Sequence, residues 1–448
     1  MQVALTNKHR SQTFLAVVAQ LLQHGASVLI LPIIVFSFSS EALGIWYIIV
    51  SFQSGVFLLD MGFTTSFSRA IAQAFSGIKS LTAIGWLSPE STQPNHTLID
   101  YIIKRMILIY LIIGVASFFV MLFGGLSYLS FVEIVEFNND QIIAICLLAA
   151  LAIAIQFFGQ WITACLIGAG LTYHNQISIL VSRMTFLLCG LLLIHIGYGI
   201  IGLLVANLLG NIVGFIYKFY AHIKKFPKKK HVNVGRIVEP VLRVIWHNAW
   251  RIGLVGFCTF FIMRYGVLLV GSVEGLEAAG ILGLLIQIST AIIAAASMPW
   301  QVGMRSLVRL KIEKDNDALR KFAVTNWSFS FFISFSALFV IIGLDLFGFF
   351  IGTQFEGLIF TKIFVVFGFI LLLEVNHTIA AQYIAASNYV PFLPAAIVSA
   401  VLIVALSTPI VMFGWGIFGI LITQGLVQLF WNNWFWPYKV WSELSAKP

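Results

Sequence analysis

Residues 106–129 read MILIYLIIGVASFFVMLFGGLSYL, and this stretch contains no charged side chain. It follows directly after the basic pair Lys104 and Arg105. About 20 consecutive apolar residues in a helix are enough to cross the hydrocarbon core of a bilayer. The stretch therefore predicts a membrane-spanning helix that starts next to a basic surface.

Stretches of the same kind recur along the whole chain. The 448 residues are 60% hydrophobic and only 10% charged, whereas soluble domains have about 25% charged residues. We predict an all-α integral membrane protein of about twelve spans, without a separate soluble domain. The predicted spans are residues 14–36, 42–63, 106–129, 141–161, 177–196, 200–217, 249–271, 278–299, 324–345, 359–382, 390–413 and 414–436.

The positive charge of the chain is unevenly distributed between the connections. Of the 26 Lys and Arg residues, 22 fall in connections that would all face one side of the membrane. The connections on the other side carry eight carboxylates and one lysine, Lys362. An excess of Lys and Arg marks the cytoplasmic side, so both termini are predicted to be cytoplasmic. The formal net charge of +9 is explained in this way, and no nucleic-acid partner is expected.

The predicted spans divide into two sets of six. We interpret residues 1–217 as an N-terminal six-helix lobe, 218–248 as a basic cytoplasmic linker and 249–448 as a C-terminal six-helix lobe. The basic connections after spans two and eight resemble each other, which supports a repeat. Paired halves of this kind are typical of secondary transporters.

The connection after span two begins with an amphipathic pattern. Phe67, Ile71, Phe75 and Ile78 recur at helical spacing, with basic residues between them. This pattern predicts a helix lying on the inner leaflet, with its apolar side in the lipid.

Sequence signatures of enzymes are absent from the chain. It contains no GxxxxGK[ST], HExxH or GxSxG motif. The four cysteines lie inside apolar spans without CxxC spacing, so we expect buried apolar residues and no metal site. We predict a membrane transporter without a cofactor. Its net transport would be driven either by an ion gradient, with H⁺ or Na⁺ as the candidate coupling ion, or by the concentration gradient of the substrate.

Three arginines lie within the predicted spans, where a charge costs at least ~2.5–3.5 kcal/mol. Arg264 is about fifteen residues into span seven, or ~22 Å from its cytoplasmic start. It is a candidate substrate contact, with a structural ion pair as the alternative. Arg251 lies near the cytoplasmic end and is able to extend to the surface, and Arg183 is intermediate. Arginine binds phosphate oxygens well, so a basic interior would suit a pyrophosphate-bearing substrate.

Two acidic residues and one histidine complete the candidate site. Asp60 ends span two and Glu374 lies deep in span ten, and either is able to pair with an arginine or to carry a coupling proton. Alternatively, Asp60 has only a structural role, in which it caps or stabilises the turn. His24 lies on an apolar stretch and is either a core histidine or a contact for the substrate or for a proton.

Residues 41–69, EALGIWYIIVSFQSGVFLLDMGFTTSFSR, contain the local signature of a family. Gly44, Trp46 and Tyr47 open span two, and the corner Leu59, Asp60 and Gly62 closes it, with Arg69 following. This pattern resembles the polysaccharide-transport branch of the multidrug/oligosaccharidyl-lipid/polysaccharide exporter superfamily, which includes the O-antigen flippases. The resemblance implies two six-helix lobes around a central cavity that opens to each side in turn. Arg264 and Arg183 are the positions that could match the basic cavity residues of that family.

The resemblance also implies a substrate and a location. Such carriers move undecaprenyl-diphosphate-linked oligosaccharide, an O-antigen or similar surface-glycan repeat used in lipopolysaccharide, from the inner to the outer leaflet of the bacterial plasma (inner) membrane. Membrane lipids, a glycan polymerase and a chain-length regulator would be the partners. The alternatives are an ion-coupled multidrug or metabolite exporter of the same superfamily, a membrane glycan polymerase and a structural scaffold.

Overall fold

The computed structural model describes residues 30–78, 81, 93–226, 241–313, 315–351, 353, 355–357, 361–386 and 391–445. Within these residues every regular element is a helix. The first eight α-helices are α1 (Leu31–Ser37), α2 (Ser40–Val56), α3 (Phe63–Phe75), α4 (His96–Leu129), α5 (Asn139–Phe158), α6 (Gln160–Gly168), α7 (Thr172–His195) and α8 (Gly199–Lys225).

The remaining helices follow the basic segment at the centre of the chain. They are α9 (Val241–Met263), α10 (Tyr265–Val273), α11 (Leu276–Glu313), α12 (Asn316–Leu346), α13 (Lys362–Ala385), α14 (Leu393–Ile410), α15 (Gly416–Phe430) and α16 (Asn432–Ser445). A 3₁₀ turn, Phe57–Asp60, links α2 to α3, and a π-helical turn, Val411–Trp415, links α14 to α15.

The lengths of the helices agree with the predicted spans. Ten helical stretches of the described residues are long and apolar enough to cross a membrane. The longest, Leu393–Ser445, has 53 residues and contains both the predicted spans 390–413 and 414–436. The predicted first span, 14–36, lies mostly outside the described residues. The prediction of an all-α membrane protein with about twelve spans is confirmed.

Polar residues in the short connections start several of the helices. Asn138 caps α5: its side chain accepts a 2.9 Å bond from the backbone N–H of Gln141, whose own side chain accepts a 3.0 Å bond from the Asn138 N–H. Asn95 caps α4 by accepting a 3.1 Å bond from the N–H of Leu98. These bonds satisfy N–H groups that a helix start leaves without partners, and so they fix where the apolar segment begins.

Two compact units can be distinguished within the chain. The described residues of 52–257 form the first unit, and those of 27–51 and 258–448 form the second. Helices α2 and α9 therefore each contribute residues to both units. The lobe boundaries given above and the linker 218–248 stay predictions, and residues 227–240 of that linker lie outside the described residues.

Small residues allow close helix packing in the first unit, where α7 lies against α8. A Cβ added at Gly210 would lie 2.6 Å from the carbonyl oxygen of Ser182, and one at Gly214 would lie 2.9 Å from the Ser182 Cβ. Ser178 donates a 3.0 Å hydrogen bond to the Gly214 carbonyl. Small residues and a polar bond between helices are the usual means by which membrane helices associate.

The amphipathic segment after span two packs inside the protein, and so its predicted position on the lipid surface is wrong. Phe67 and Ile71 are both fully buried. Ile71 lies on Gly168 of α6, where an added Cβ would lie 2.6 Å from the Ile71 Cβ. The apolar side of α3 therefore faces α6 rather than lipid, and α2 and α3 together form one apolar stretch, Ser40–Phe75.

In the second unit α2 packs closely on α11. A Cβ added at Gly44 would collide with the backbone carbonyl of Leu276, and one at Gly283 would collide with the ring of Tyr47. Tyr47 is 1% exposed. Glycine at these two positions brings the α2 backbone and the Tyr47 ring against α11.

Candidate functional site

The corner Leu59–Gly62 determines the position of the first candidate carboxylate. The backbone of Met61 has φ 44° and that of Gly62 has φ 72°, both in the left-handed region. Glycine adopts this conformation without a steric penalty, whereas a residue with a side chain adopts it rarely. The glycine of the LDMG sequence is thus required by the turn that separates the 3₁₀ segment from α3.

Asp60 lies at this corner, buried and surrounded by hydroxyl donors. Its Oδ1 atom accepts a 2.7 Å bond from the Thr64 hydroxyl and a 2.8 Å bond from the Tyr110 hydroxyl. Its Oδ2 atom is 3.3 Å from the Thr64 backbone N–H. The side chain is 8% exposed, and among the described residues no Lys or Arg forms an ion pair with it. Hydroxyl groups rather than a cation therefore stabilise this carboxyl group.

Arg183 and Arg251 both belong to the first unit. Arg183 is half-buried on α7 and has no ion-pair partner within the described part of the chain. Arg251 is exposed on α9, and its guanidinium lies 5.6 Å from the centre of the Trp250 ring. The exposure of Arg251 fits a side chain that reaches the membrane surface.

Arg264 occupies the break between α9 and α10 in the second unit. Its N–H donates a 2.7 Å bond to the Phe260 carbonyl, and its carbonyl accepts a 3.2 Å bond from Val267. The side chain is half-buried, and its Nη1 atom is buried without a hydrogen-bond partner among the described residues. An unpaired buried donor on a charged group costs free energy, so a ligand that accepts from Nη1 would be stabilised here.

Tyr47 interacts with Arg264, and the sequence indicated this tyrosine only as part of the family-like stretch and not as a site residue. Its hydroxyl interacts electrostatically with the Arg264 guanidinium and is itself buried without a hydrogen-bond partner in the described structure. Tyr47 lies on α2, far from Arg264 in sequence, and only the packing of α2 on Gly283 places it there. Two polar groups without hydrogen-bond partners therefore lie close enough together to interact.

Glu374 lies on α13 of the second unit and is 3% exposed. The amide of Asn433 faces this carboxyl group. Glu374 Oε1 and both amide atoms of Asn433 lack a well-formed hydrogen bond within the described residues. The Glu374 carboxyl group can carry a proton, and together with the amide oxygen of Asn433 it can bind a small monovalent cation.

A larger polar cluster adjoins Glu374 where α15 meets α16. The amide nitrogen of Asn432 donates a 2.7 Å bond to Gln428 and a 3.0 Å bond to Ser399. Asn432 Oδ1 accepts a 3.0 Å bond from the indole of Trp436, and its carbonyl oxygen is 3.2 Å from His377 Nδ1. Sequence reasoning missed this cluster, although the pair Asn432–Asn433 at the end of an apolar segment is a signal that was available.

The candidate residues thus separate into two groups. Asp60, Arg183 and Arg251 belong to the first unit, and Arg264 and Glu374 belong to the second. His24 lies outside the described residues. That these charges share one cavity stays a prediction.

The groups at these positions are suited to binding a ligand or an ion. Within the described residues no three His, Cys, Asp or Glu side chains are grouped so that they could hold a metal ion. The free donors of Arg264 and Tyr47 suit a ligand with acceptor oxygens. Glu374 suits a proton or monovalent cation.

Comparison with known proteins identifies the fold. No protein-family model matches the chain, and no curated protein matches its sequence. An inward-facing multidrug resistance MATE family transporter of the MOP superfamily is similar over 97% of this chain and 100% of its own, with 16% identity and a TM-score of 0.67. An outward-facing MATE transporter of this superfamily is similar over 98% and 97%, with 14% identity and a TM-score of 0.59.

A third solved structure has a different functional description. It is a MOP superfamily transporter from Pyrococcus furiosus, with 14% identity, a TM-score of 0.53, and coverage of 97% of this chain and 96% of that one. Reversed polarity of its binding pocket is described as suggesting a different function. At these identities the comparisons show that the chain has the fold of MATE family transporters of the MOP superfamily.

Proposed function

We propose that this chain is an ion-coupled membrane exporter that moves small amphiphilic molecules out of the cytoplasm by alternating access. The observation that carries the proposal is the similarity to multidrug resistance MATE transporters over nearly the full length of both chains. The twelve-span plan and the absence of enzyme motifs support the same class of function. The exporter interpretation is thereby better supported than the flippase interpretation of the sequence.

The source of energy in this proposal is an ion gradient. The chain has no nucleotide-binding loop of its own, so ATP is not hydrolysed by it. Each compact unit contains one carboxyl group that is buried and without an ion-pair partner in the described residues, Asp60 in the first and Glu374 in the second. Intramembrane carboxyl groups commonly relay protons or bind coupling ions. Glu374 is the stronger candidate, because hydroxyl donors already bind Asp60 whereas Glu374 Oε1 has no partner among the described residues.

The substrate in this proposal carries an anionic or strongly accepting group. Arg264 Nη1 and the Tyr47 hydroxyl are buried donors without acceptors among the described residues, and an arginine is an unfavourable contact for a cationic drug. The Pyrococcus furiosus transporter, with its reversed pocket polarity, supports the idea that pocket charge varies within this fold.

Transport by purified protein in liposomes tests the proposal. A proton or sodium gradient is imposed, and the movement of carboxyfluorescein, an anionic dye, is compared with that of ethidium, a cationic dye. We expect gradient-dependent transport of the anion that is lost in Arg264→Gln and retained in the control Arg309→Gln, which changes a side chain that is 70% exposed and lies outside the candidate site. Transport of ethidium alone would overturn the substrate class, and no gradient dependence would overturn the coupling.

A second candidate function is the translocation of undecaprenyl-diphosphate-linked oligosaccharide between leaflets. It is favoured by the corner Leu59–Gly62 with Arg69 after it, which resembles the polysaccharide-transport branch, and by the arginines Arg183 and Arg264. In this case the protein would act in the bacterial plasma membrane, with cytoplasmic termini, and a glycan polymerase and chain-length regulator would use its product.

The two functions are separated by one further liposome measurement. A fluorescent polyprenyl-diphosphate oligosaccharide is placed in the outer leaflet, and its protection from a membrane-impermeant glycosidase is followed over time. Protection that requires the protein, in preparations that do not move either dye, would favour the flippase. Movement of the anionic dye without protection of the lipid-linked sugar would favour the exporter.

A further inference from the structure

A wholly apolar groove lies in the first unit between α4, α5 and α8. Its volume is about 620 Å³, within the range of sites that hold a small ligand. Phe158 and Phe215 line it, with ring centres 5.7 Å apart. Leu111, Val115 and Phe119 line its other side and are 49%, 51% and 49% exposed. Because α4, α5 and α8 are all candidate membrane spans, the groove adjoins hydrocarbon rather than water.

A cluster of hydrogen-bond donors lies between α6 and α8, a few residues after the groove residues Phe158 and Phe215 along the chain. The Lys218 ammonium donates a 3.0 Å bond to the hydroxyl of Thr163, which is 8% exposed. His222 is one turn further along α8, and its ring lies 5.0 Å from that of Trp161. His222 Nδ1, which donates when it carries the ring proton, and the indole N–H of Trp161 are both buried without a partner among the described residues, and Trp161 is 5% exposed. We call Lys218, His222 and Trp161 the donor cluster.

The groove and the donor cluster are continuous along the same helices. On α8, Phe215 of the groove precedes Lys218 by three residues and His222 by seven, so all three lie near one side of the helix. On the facing side, Phe158 ends α5 and Trp161 lies in the first turn of α6. An apolar chain in the groove would therefore lead directly to the donor cluster.

The three helices around the donor cluster carry no acidic residue. Helices α6, α7 and α8 contain no Asp or Glu at all. His174 of α7 lies 3.2 Å from the Tyr217 hydroxyl and interacts with the charges of Lys224 and Lys225. The donor cluster thus lies in a region of positive charge at the end of α8 that the charge distribution predicts to be cytoplasmic.

We infer that this site binds one anionic phospholipid of the inner leaflet, with its phosphate on Lys218, His222 and Trp161 and one acyl chain in the groove. A phosphate supplies several acceptor oxygens for donors that otherwise have a single hydroxyl partner. Basic pockets between membrane helices on the cytoplasmic side are suited to lipid headgroups. The groove volume fits one acyl chain, whereas the polyprenyl tail of a lipid-linked sugar is several times longer. The inference does not depend on the exporter proposal.

Native mass spectrometry of the purified full-length protein tests this site. The protein is incubated with phosphatidylglycerol, with phosphatidylcholine of the same chains, or with a polyprenyl diphosphate. We expect one retained phosphatidylglycerol per chain and at least about tenfold weaker retention of phosphatidylcholine, which lacks net negative charge.

Matched variants assign the binding to the proposed residues. Lys218→Met is expected to reduce phosphatidylglycerol retention about tenfold, while Lys218→Arg preserves most of it and Lys321→Ala, at an exposed position of the second unit, leaves it unchanged. Val115→Trp narrows the groove and should also weaken retention. Val120→Trp is its control, because Val120 is 49% exposed on the same helix and does not line the groove.

Three results would overturn the inference. Equal retention of phosphatidylglycerol and phosphatidylcholine would show that the negative charge of the lipid does not contribute to binding. Unchanged retention in both Lys218→Met and Val115→Trp would place the lipid elsewhere. Displacement of phosphatidylglycerol by an equimolar polyprenyl diphosphate would assign the site to a lipid-linked substrate instead. The folding of every variant is checked by its elution volume and melting temperature in the same detergent.

Discussion

The hydroxyl of Tyr110 donates a 2.8 Å hydrogen bond to Oδ1 of Asp60, a residue fifty positions earlier in the chain. Tyr110 is fully buried on α4, whereas Asp60 is at the corner before α3. This bond ties the LDMG corner to the adjacent membrane helix. It gives the corner a structural function that does not depend on any substrate.

Replacing this tyrosine should destabilise the protein. In Tyr110→Phe, Asp60 Oδ1 keeps only its bond to Thr64, and a hydrogen bond to a charged group is worth about 1.5–3 kcal/mol. We expect a lower melting temperature in detergent. Tyr101→Phe, on the same helix but half-buried, is the control and should leave the melting temperature unchanged. Equal melting temperatures for both variants would show that the bond contributes nothing.

Arg264→Met should separate stability from function. A half-buried guanidinium whose Nη1 atom has no partner among the described residues costs free energy in the membrane, and a methionine of similar length does not. We expect a melting temperature equal to or above that of the wild type, together with at least about tenfold slower transport of the anionic dye. A large fall in melting temperature would instead indicate that Arg264 is a structural ion-pair residue.

Glu374→Gln should uncouple transport from the ion gradient. The amide is close in size to the carboxyl group it replaces and removes a buried ionisable group next to Asn433, so folding should be retained. We expect substrate movement down its own gradient to continue and gradient-driven accumulation to be lost. Glu277→Gln, at an exposed position, is the control. Accumulation that persists in Glu374→Gln would exclude this residue as the coupling site.

Gly44→Val tests the close contact between α2 and α11. The added side chain would collide with the Leu276 carbonyl, and overpacking of this kind costs about 1–3 kcal/mol. We expect a lower melting temperature and a smaller yield of folded protein. A Cβ at Gly343 would meet no atom within 4 Å, so Gly343→Ala should have no such effect. A tolerated valine at position 44 would mean that the two helices are able to separate there.

The predicted topology can be tested with single cysteines in a background that lacks the four natural ones. Glu136→Cys belongs to a connection predicted to face outward, and Lys321→Cys and Lys447→Cys to cytoplasmic segments. A membrane-impermeant maleimide added to intact cells should label the first and neither of the others, and all three after lysis. Labelling of Lys447→Cys in intact cells would contradict a cytoplasmic C-terminus.

The helices could be predicted from the sequence because each apolar segment carries its own signal. Residues 106–129 lie within α4, and residues 141–161 largely coincide with α5, since a backbone in lipid must satisfy its hydrogen bonds within one helix. The corner at Asp60 was also visible, because Gly62 marks a left-handed turn. The amphipathic pattern of α3 correctly predicted a helix. Its apolar side was expected to face lipid, but it packs on α6 instead.

The partners of the candidate site residues could not be predicted in the same way. Tyr110, Tyr47 and Asn433 are each far in sequence from the charged residue that they face. In an apolar chain many tyrosines and asparagines are equally plausible partners, and no spacing selects among them. Helix packing selects them, as when Gly283 allows the Tyr47 ring to lie against α11.

The sequence by itself determined that this is an all-helical membrane protein, since hydrophobicity and helix formation act over one segment at a time. It also determined which charges lie within spans. Only the tertiary structure decided that Asp60 is satisfied by hydroxyl groups whereas Arg264 Nη1 and Glu374 Oε1 have no hydrogen-bond partner among the described residues. Those outcomes depend on which helices pack together, because a polar group in a membrane protein is stabilised by the neighbours that packing supplies.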